Sequence, residues 1–452
     1  MQVLMPEPKA APSLAVLLKA LEAAVLVGDR ERAMQLEQLI LQRLANEASD
    51  HAAVERQVRA LLAVLNAGTS LLKPHHIDMD AFFIERSAPA DFDGGGEGGG
   101  DMGFESALAS GESYNLGQKA SFGDTQGEAY PVWFGTNRKP DGQGGFGTQR
   151  HKLTTRGRAE VYIPKSHRFG ETGNPWWKRL LRFELADDNL RLKGLEAQER
   201  DAFFAEINAA MQAAREGGDQ PHALFFLHGF NVSFEEAAIR AAQIGYDLSV
   251  PGATAFFSWP SRGAVAAYPA DEATIEASEQ AITDFLVDFT ANCGAEKVHV
   301  IAHSMGNRGL LRALQRIATN AETQGKVKFG QIFLAAPDVD RDLFLDLAHL
   351  YPQHCERTTL YASDGDLPVH LSAKLHDAPR AGYYAPYTVA PGVDTVAVPD
   401  FDIDLLGHSY FAQADALLHD IFDLMRHNEA PAQRQRIKPD QHEGVSFWKL
   451  RR

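Results

Sequence analysis

Between Ala223 and Val398 the chain repeats one unit, a short apolar run followed by a longer stretch with helical spacing. The runs are Ala223–Leu227, Ala253–Ser258, Val298–Ala302, Gly330–Leu334, Thr358–Ala362 and Thr395–Val398. Each is too short for a helix, and most are apolar at nearly every position rather than at every second one. A strand with one wet face alternates, whereas a strand covered on both faces does not. Parallel neighbours also need a crossover, which the intervening helical segments supply. The pattern therefore predicts an α/β chain built on a mainly parallel sheet with helices on both faces. Strands over 130–135, 158–163 and 181–186 and a helix over 198–215 are expected ahead of it.

The N-terminal region is of another kind. Leu14, Leu17, Leu18, Leu21 and Val25 fall on one helical face. Gly28 then offers a stop, and Asp29 offers a cap for a second helix carrying Met34, Leu36, Leu39, Ile40 and Leu44. A third helix is expected from Asp50, with Val54, Val58, Leu61, Leu62 and Leu65 inward. Residues 1–76 thus read as a small all-α, three-helix unit. It is too small for a large core of its own, so residues 13–66 are a candidate surface for a protein partner or for self-association. Residues 77–128 hold 11 acidic and 2 basic side chains and the glycine run at 93–101, which predicts a solvated, flexible linker. His75, His76, Asp78 and Asp80 read as a surface turn rather than a metal site. The α/β domain is placed at 129–430. Residues 431–452 form a basic tail, with Trp448 docking back on that domain.

Charge and cysteine content exclude whole classes. Lys and Arg number 44 against 60 Asp and Glu, a net charge of −16. Nucleic-acid affinity rests largely on neutralising phosphates, so no nucleic-acid partner is expected. Two cysteines, Cys293 and Cys355, cannot build a disulfide framework. The most apolar N-terminal stretch, Leu14 to Val27, contains Lys19 and Glu22, which breaks it as a membrane span or export signal. No integral membrane segment is expected, and the expected location is the cytoplasm.

One segment carries the chemistry: Val298-His299-Val300-Ile301-Ala302-His303-Ser304-Met305-Gly306. A buried strand runs into a tight turn with Ser304 at its apex and a helix behind it, the arrangement of a nucleophile elbow. The crowded turn wants small residues two positions either side, and Ala302 and Gly306 stand there. Earlier, Leu224-Phe225-Phe226-Leu227-His228-Gly229-Phe230-Asn231 is a strand ending in a loop able to aim a backbone N–H at an oxyanion. The expected donors are the amides of Phe230 and Met305. A base and its acid must follow Ser304. His408, in Gly407-His408-Ser409-Tyr410 beyond the last apolar strand, is the expected base. Asp366, just past the strand at 358–362, is the chosen acid; Asp338 is the fallback and Asp364 the third candidate. Asp338 and Asp340 are alternatively helix caps ahead of Arg341. Trp176 and Trp177, with Phe169 and Pro175, read as an edge-covering aromatic cluster.

These motifs, together with Trp133-Phe134-Gly135-Thr136-Asn137-Arg138, Phe257-Ser258-Trp259-Pro260-Ser261 and Ala335-Ala336-Pro337-Asp338, make the segment from about 130 to 425 resemble the α/β-hydrolase superfamily. More narrowly it resembles a bacterial esterase/lipase-like family of unknown function. The resemblance implies the α/β-hydrolase fold and a Ser-His-Asp hydrolase that needs no metal or cofactor. The expected activity is carboxylic ester hydrolysis through an acyl-enzyme. Too few residues lie between 338 and 358 for an inserted cap domain, so short to medium acyl chains are favoured. Lipase, phospholipase or amidase action on the same triad is the alternative. A reading of another class is a regulated effector or scaffold whose helical unit binds a protein.

Overall fold

The computed structural model describes residue 21 and residues 30–44, 127–164, 190–262, 267–363, 369, 372–373, 376–398 and 411–451. Met1–Gly103 and Phe104–Arg452 form two separate units. In the first, α1 (Arg30–Leu44) occupies the position expected for the second helix. It buries Ala33, Leu36 and Ile40, while Met34, Leu39 and Leu41 remain exposed. Of the apolar residues that suggested the helix, Leu36 and Ile40 face inward and Met34 and Leu39 do not. The other two helices, the linker, His75, His76, Asp78 and Asp80 lie outside the described residues.

The second unit is organised by one sheet. Its strands are β1 (Gly127–Pro140), β2 (Phe146–Pro164), β3 (Arg191–Ala197), β4 (His222–Leu227), β5 (Gly252–Ser258) and β6 (Lys297–His303), followed by β7 (Phe329–Ala335), β8 (Cys355–Ser363), β9 (Val393–Val398), β10 (Ile437–His442) and β11 (Val445–Leu450). The order across the sheet is β10-β11-β9-β8-β7-β6-β4-β5-β1-β2-β3. Pairing is parallel from β11 through β1, and antiparallel between β1 and β2, β2 and β3, and β10 and β11. The helices are α2 (Arg200–Glu216), α3 (Phe234–Asp247), α4 (Tyr268–Ala277), α5 (Glu279–Asn292), α6 (Gly306–Thr319), α7 (Arg341–Leu347), α8 (Leu350–His354) and α9 (Phe411–His427).

Six of the expected strands are β4 to β9, β1 and β2 contain the expected strands 130–135 and 158–163, and α2 covers the expected helix from its third residue onward. The reason the runs are apolar throughout is visible in β4. Ala223, Phe225 and Leu227 pack into a core with Phe203, Phe285 and Leu314, from α2, α5 and α6. Leu224 and Phe226 point the other way, into a core with Ala241 of α3 and Leu417 and Ile421 of α9. Burying each Phe is worth about 1.5–3 kcal/mol, so both faces of every central strand drive assembly. Both cysteines are buried and free.

Two parts of the sheet extend beyond the sequence expectation. The strand expected at 181–186, Trp176 and Trp177 all lie outside the described residues, and β3 pairs with β2 at 191–197. In the region read as a basic tail, β10 and β11 form a hairpin, and Trp448 of β11 stands beside Val396 of β9. Arg434, counted as part of the basic tail, is 3% exposed. Its guanidinium forks onto Asp420 of α9, with Nε 3.1 Å from Oδ1 and Nη2 on Oδ2. Tyr361 Oη donates to the same carboxylate at 2.7 Å. Arg434→Ala leaves that buried carboxylate without its cation, and the expected loss is about 3–5 kcal/mol in urea unfolding. Replacing Arg434 and Asp420 together by Met and Leu should restore most of it.

Candidate active site

The carboxyl ends of β4, β5, β6 and β7 meet at Ser304. β6 stops at His303, and Ser304 takes φ +48° before α6 begins at Gly306. A left-handed serine costs about 1–2 kcal/mol, so neighbouring bonds must hold it. Ser304 N donates to Ala335 O at 2.9 Å, and Ser304 O accepts from the amides of Asn307 at 3.1 Å and Asp338 at 3.2 Å. The Asn307 side chain, fully buried, donates to Ala302 O and Ser304 O, both at 3.0 Å. The serine is 3% exposed, and its hydroxyl has no hydrogen-bond partner among the described residues.

The loop after β4 is pressed against this turn. A Cβ on Gly306 would stand 2.6 Å from His228 O, and one on Gly229 would stand 3.0 Å from Ser304 Cβ. Only glycine lets the two backbones approach so closely. The loop is also held from outside. Asn231, at φ +56°, donates its amide to Asp271 Oδ2 at 3.2 Å, and Val232 N donates to Ser261 Oγ at 3.1 Å. Ser261 Oγ in turn donates to Asp271 at 2.6 Å. The peptide of Phe230 is thus pinned between Gly229, against the elbow, and Asn231, on a buried carboxylate. A capping box at Ser233 and Glu236 fixes where α3 starts.

Arg138 joins these loops. Its side chain is fully buried and donates to Ser258 Oγ (2.8 Å), Val232 O (2.7 Å), Ser261 O (3.0 Å) and Gly147 O (3.2 Å). Burial lowers its pKa to about 10, which still leaves it cationic at neutral pH, with Asp271 favouring the charge. The residues around it, Arg138, Ser258 and Ser261, all lie in segments singled out from the sequence, but nothing in their spacing revealed that they brace one another. Asp271 was not anticipated.

His228 is 1% exposed and stacks on Trp259 at 5.1 Å. Its Nδ1 lies 2.7 Å from Gly229 O. Burial, assisted by Arg138, pushes its pKa down to about 3. It is a neutral packing group and not a base.

The sequence-expected residues divide into two sets. Gly229 abuts Ser304 across the elbow seam, with Phe230 and Met305 the next residues along each segment; Asp366, Asp364 and His408 lie outside the described residues. Asp338, the fallback acid, is 1% exposed and fully engaged. Tyr268 Oη donates to its Oδ2, Ser372 Oγ donates to Oδ1 at 2.5 Å, and Arg308 Nη2 lies 3.3 Å from Oδ1. Burial raises the Tyr268 pKa, with Asp338 adding to the shift, so the phenol stays protonated as the donor. The capping role read for Asp340 is present, with Oδ1 accepting from the amides of Asp342 and Leu343. Among the described residues, no group of three or more His, Cys, Asp or Glu side chains could hold a metal ion. No helix among them is long and apolar enough to cross a membrane.

Residues 203–426 match the family model described as an alpha/beta hydrolase of unknown function (DUF900). The match covers β4 to β9, the elbow and nearly all of α9. This domain has the α/β-hydrolase fold. No curated protein matches the chain. Among solved structures, the chain is similar to an uncharacterized protein from Bacillus cereus at 14% identity, covering 47% of this chain and 61% of that one, with a TM-score of 0.31. The chain thus spans under two thirds of that protein. A protein from Thermoplasma acidophilum, described as a predicted CIB-like hydrolase, matches at 11% identity over 53% of this chain and 94% of its own, with a TM-score of 0.28.

The buried histidine gives the domain a measurable acid response. In the unfolded chain His228 titrates near the ordinary histidine value of about 6.5, and in the fold only at about 3. Between those values the unfolded chain binds the extra proton. Stability is therefore complete above pH 6.5 and falls as pH drops toward 3, by about 1.4 kcal/mol per pH unit for this one group. Urea unfolding of His228→Asn across this range should show a slope shallower by that amount.

Proposed function

We propose that the hydrolase cleaves carboxylic esters through an acyl-enzyme on Ser304. The observation that carries this reading is the left-handed serine at the end of a central strand, braced through its backbone while its hydroxyl is left without a described partner. A buried hydroxyl with no partner costs about 1–3 kcal/mol, which is retained where the group has to react.

In the proposed reaction His408 takes the Ser304 proton as Oγ attacks the ester carbonyl carbon. The oxyanion accepts hydrogen bonds from the amides of Phe230 and Met305. Collapse expels the alcohol, which leaves with the proton from His408. Water, deprotonated by His408, then attacks the acyl carbon; the acid departs and Ser304 regains its proton. Asp366 accepts from the other imidazole nitrogen and holds the tautomer. Asp366 is preferred to Asp338 because Asp338 has both oxygens engaged by Tyr268, Ser372 and Arg308. Small or lipid esters with short to medium acyl chains are the proposed substrates, and the helical unit at 13–66 is a proposed contact for a partner or a second copy.

A fluorophosphonate probe should label the wild-type protein and leave Ser304→Ala unlabelled, with hydrolysis of nitrophenyl esters falling at least ~10³-fold. Equal labelling of the two proteins would end the assignment. The two aspartates separate by a different pair of readouts. Asp366→Asn is expected to lower kcat by about 10⁴-fold with an unchanged urea midpoint. Asp338→Asn is expected to lower the midpoint, because it disturbs a buried network.

A further inference from the structure

The hairpin of β1 and β2 has a feature that neither the fold nor the proposed chemistry uses. Thr136 pairs with Thr155 and Arg138 pairs with Arg150, so two steps along β1 correspond to five along β2. The three extra residues make a bulge in β2 at 151–154. Leu153 stands on it at 67% exposure, the most exposed large apolar side chain among the described residues. Arg150 and Lys152 beside it, and Lys139 on the facing strand, are exposed. None of the three has an ion-pair partner among the described residues.

In a chain of net charge −16 this is a local exception, since no Asp or Glu occurs between Asp141 and Glu160. Asp141 Oδ1, in the turn, accepts from the amides of Gln143 and Gly145, and residues 139–154 carry three exposed cations against this one carboxylate. Nor is the hairpin a loose flap. Phe146 packs on Phe134 at 5.6 Å and Phe234 at 4.7 Å, and Gly147 O accepts from buried Arg138. The bulge is therefore presented by a braced element.

Its position matters. β1 runs parallel to β5, with Thr136 beside Ser258, so the hairpin turn projects from the same sheet edge that carries Ser304. The bulge lies four strand spacings from β6 in the sheet order. At 4.8 Å a step that is roughly 19 Å along one edge.

We propose that this hairpin docks the carboxyl edge of the sheet onto an anionic phospholipid surface, with Leu153 entering the headgroup boundary and Lys139, Arg150 and Lys152 facing the lipid phosphates. An aliphatic side chain set among cations is the composition of an interfacial anchor. A soluble polyanion would use the charges and leave the leucine wet. The acidic remainder of the protein does not oppose contact strongly, because the screening length is only about 8 Å at physiological salt. The inference stands on the hairpin and does not require Ser304 to be the nucleophile.

The test is flotation of the full chain with phosphatidylserine/phosphatidylcholine vesicles, with phosphatidylcholine vesicles and immobilised heparin as comparisons. Binding that requires phosphatidylserine is expected. Arg150→Gln with Lys152→Gln should weaken it by about 25-fold, at roughly fivefold per charge. Leu153→Ser should weaken it by about tenfold while leaving heparin retention unchanged. Ser304→Ala should float as the wild type does, so loss of esterase activity and loss of docking are read separately. Absence of flotation in the wild type, or equal flotation of Leu153→Ser, overturns the proposal; unchanged thermal midpoints in both variants exclude unfolding as the cause.

Discussion

A guanidinium enclosed by protein is costly unless its donors are met, and Arg138 donates to four oxygens from three separate places in the chain. Ser258 and Ser261 come from the end of β5, Val232 from the loop after β4, and Gly147 from the β1–β2 hairpin. A cation in this position can be satisfied only when all of those segments have arrived. The charge thus converts independent loops into one rigid rim, and Asp271 extends the bracing to Asn231. The elbow then leans on that rim through Gly229 and Gly306. The guanidinium thus secures the far side of the loop that carries Phe230, through its bond to Val232 O.

The relation between sequence and structure is clearest in the strands. β4 to β8 are fully or nearly fully buried on both faces, so hydrophobicity alone marked them, and the two cores show which residue faces which layer. Ser304 was readable for a related reason, since a tight turn after a buried strand tolerates few residue types. Other elements gave no such signal. β10 reads Ile-Lys-Pro-Asp-Gln-His, which is almost wholly polar, and it is mostly exposed because it forms the sheet edge. The segment leading into β10 is held by the Arg434–Asp420 pair, and an ion pair between a tail and a helix leaves no periodicity to detect. Arg138 was noticed as part of a motif, but a buried cation and an exposed one look alike in a sequence.

Burial also assigns roles among the titratable groups. His228 and Asp338 stand close to the nucleophile in the chain's folded order, and either could be mistaken for catalytic machinery. His228 is kept neutral by the apolar stack on Trp259 and by Arg138. Asp338 is saturated by a phenol, a hydroxyl and a guanidinium. Both are braced by their neighbours on every side described. A residue with its hydrogen bonds already filled has little capacity left to hold a reacting group, which separates scaffolding from chemistry even in a crowded site.

The contact between Gly306 and the carbonyl of His228 has a consequence for how such a protein can diversify. No side chain larger than hydrogen fits at that seam, and the seam joins the nucleophile turn to the oxyanion-side loop. Mutational drift is therefore closed off along it, however the substrate changes. New specificity has to come from loops that do not cross the seam, while the reacting geometry is inherited as a single block.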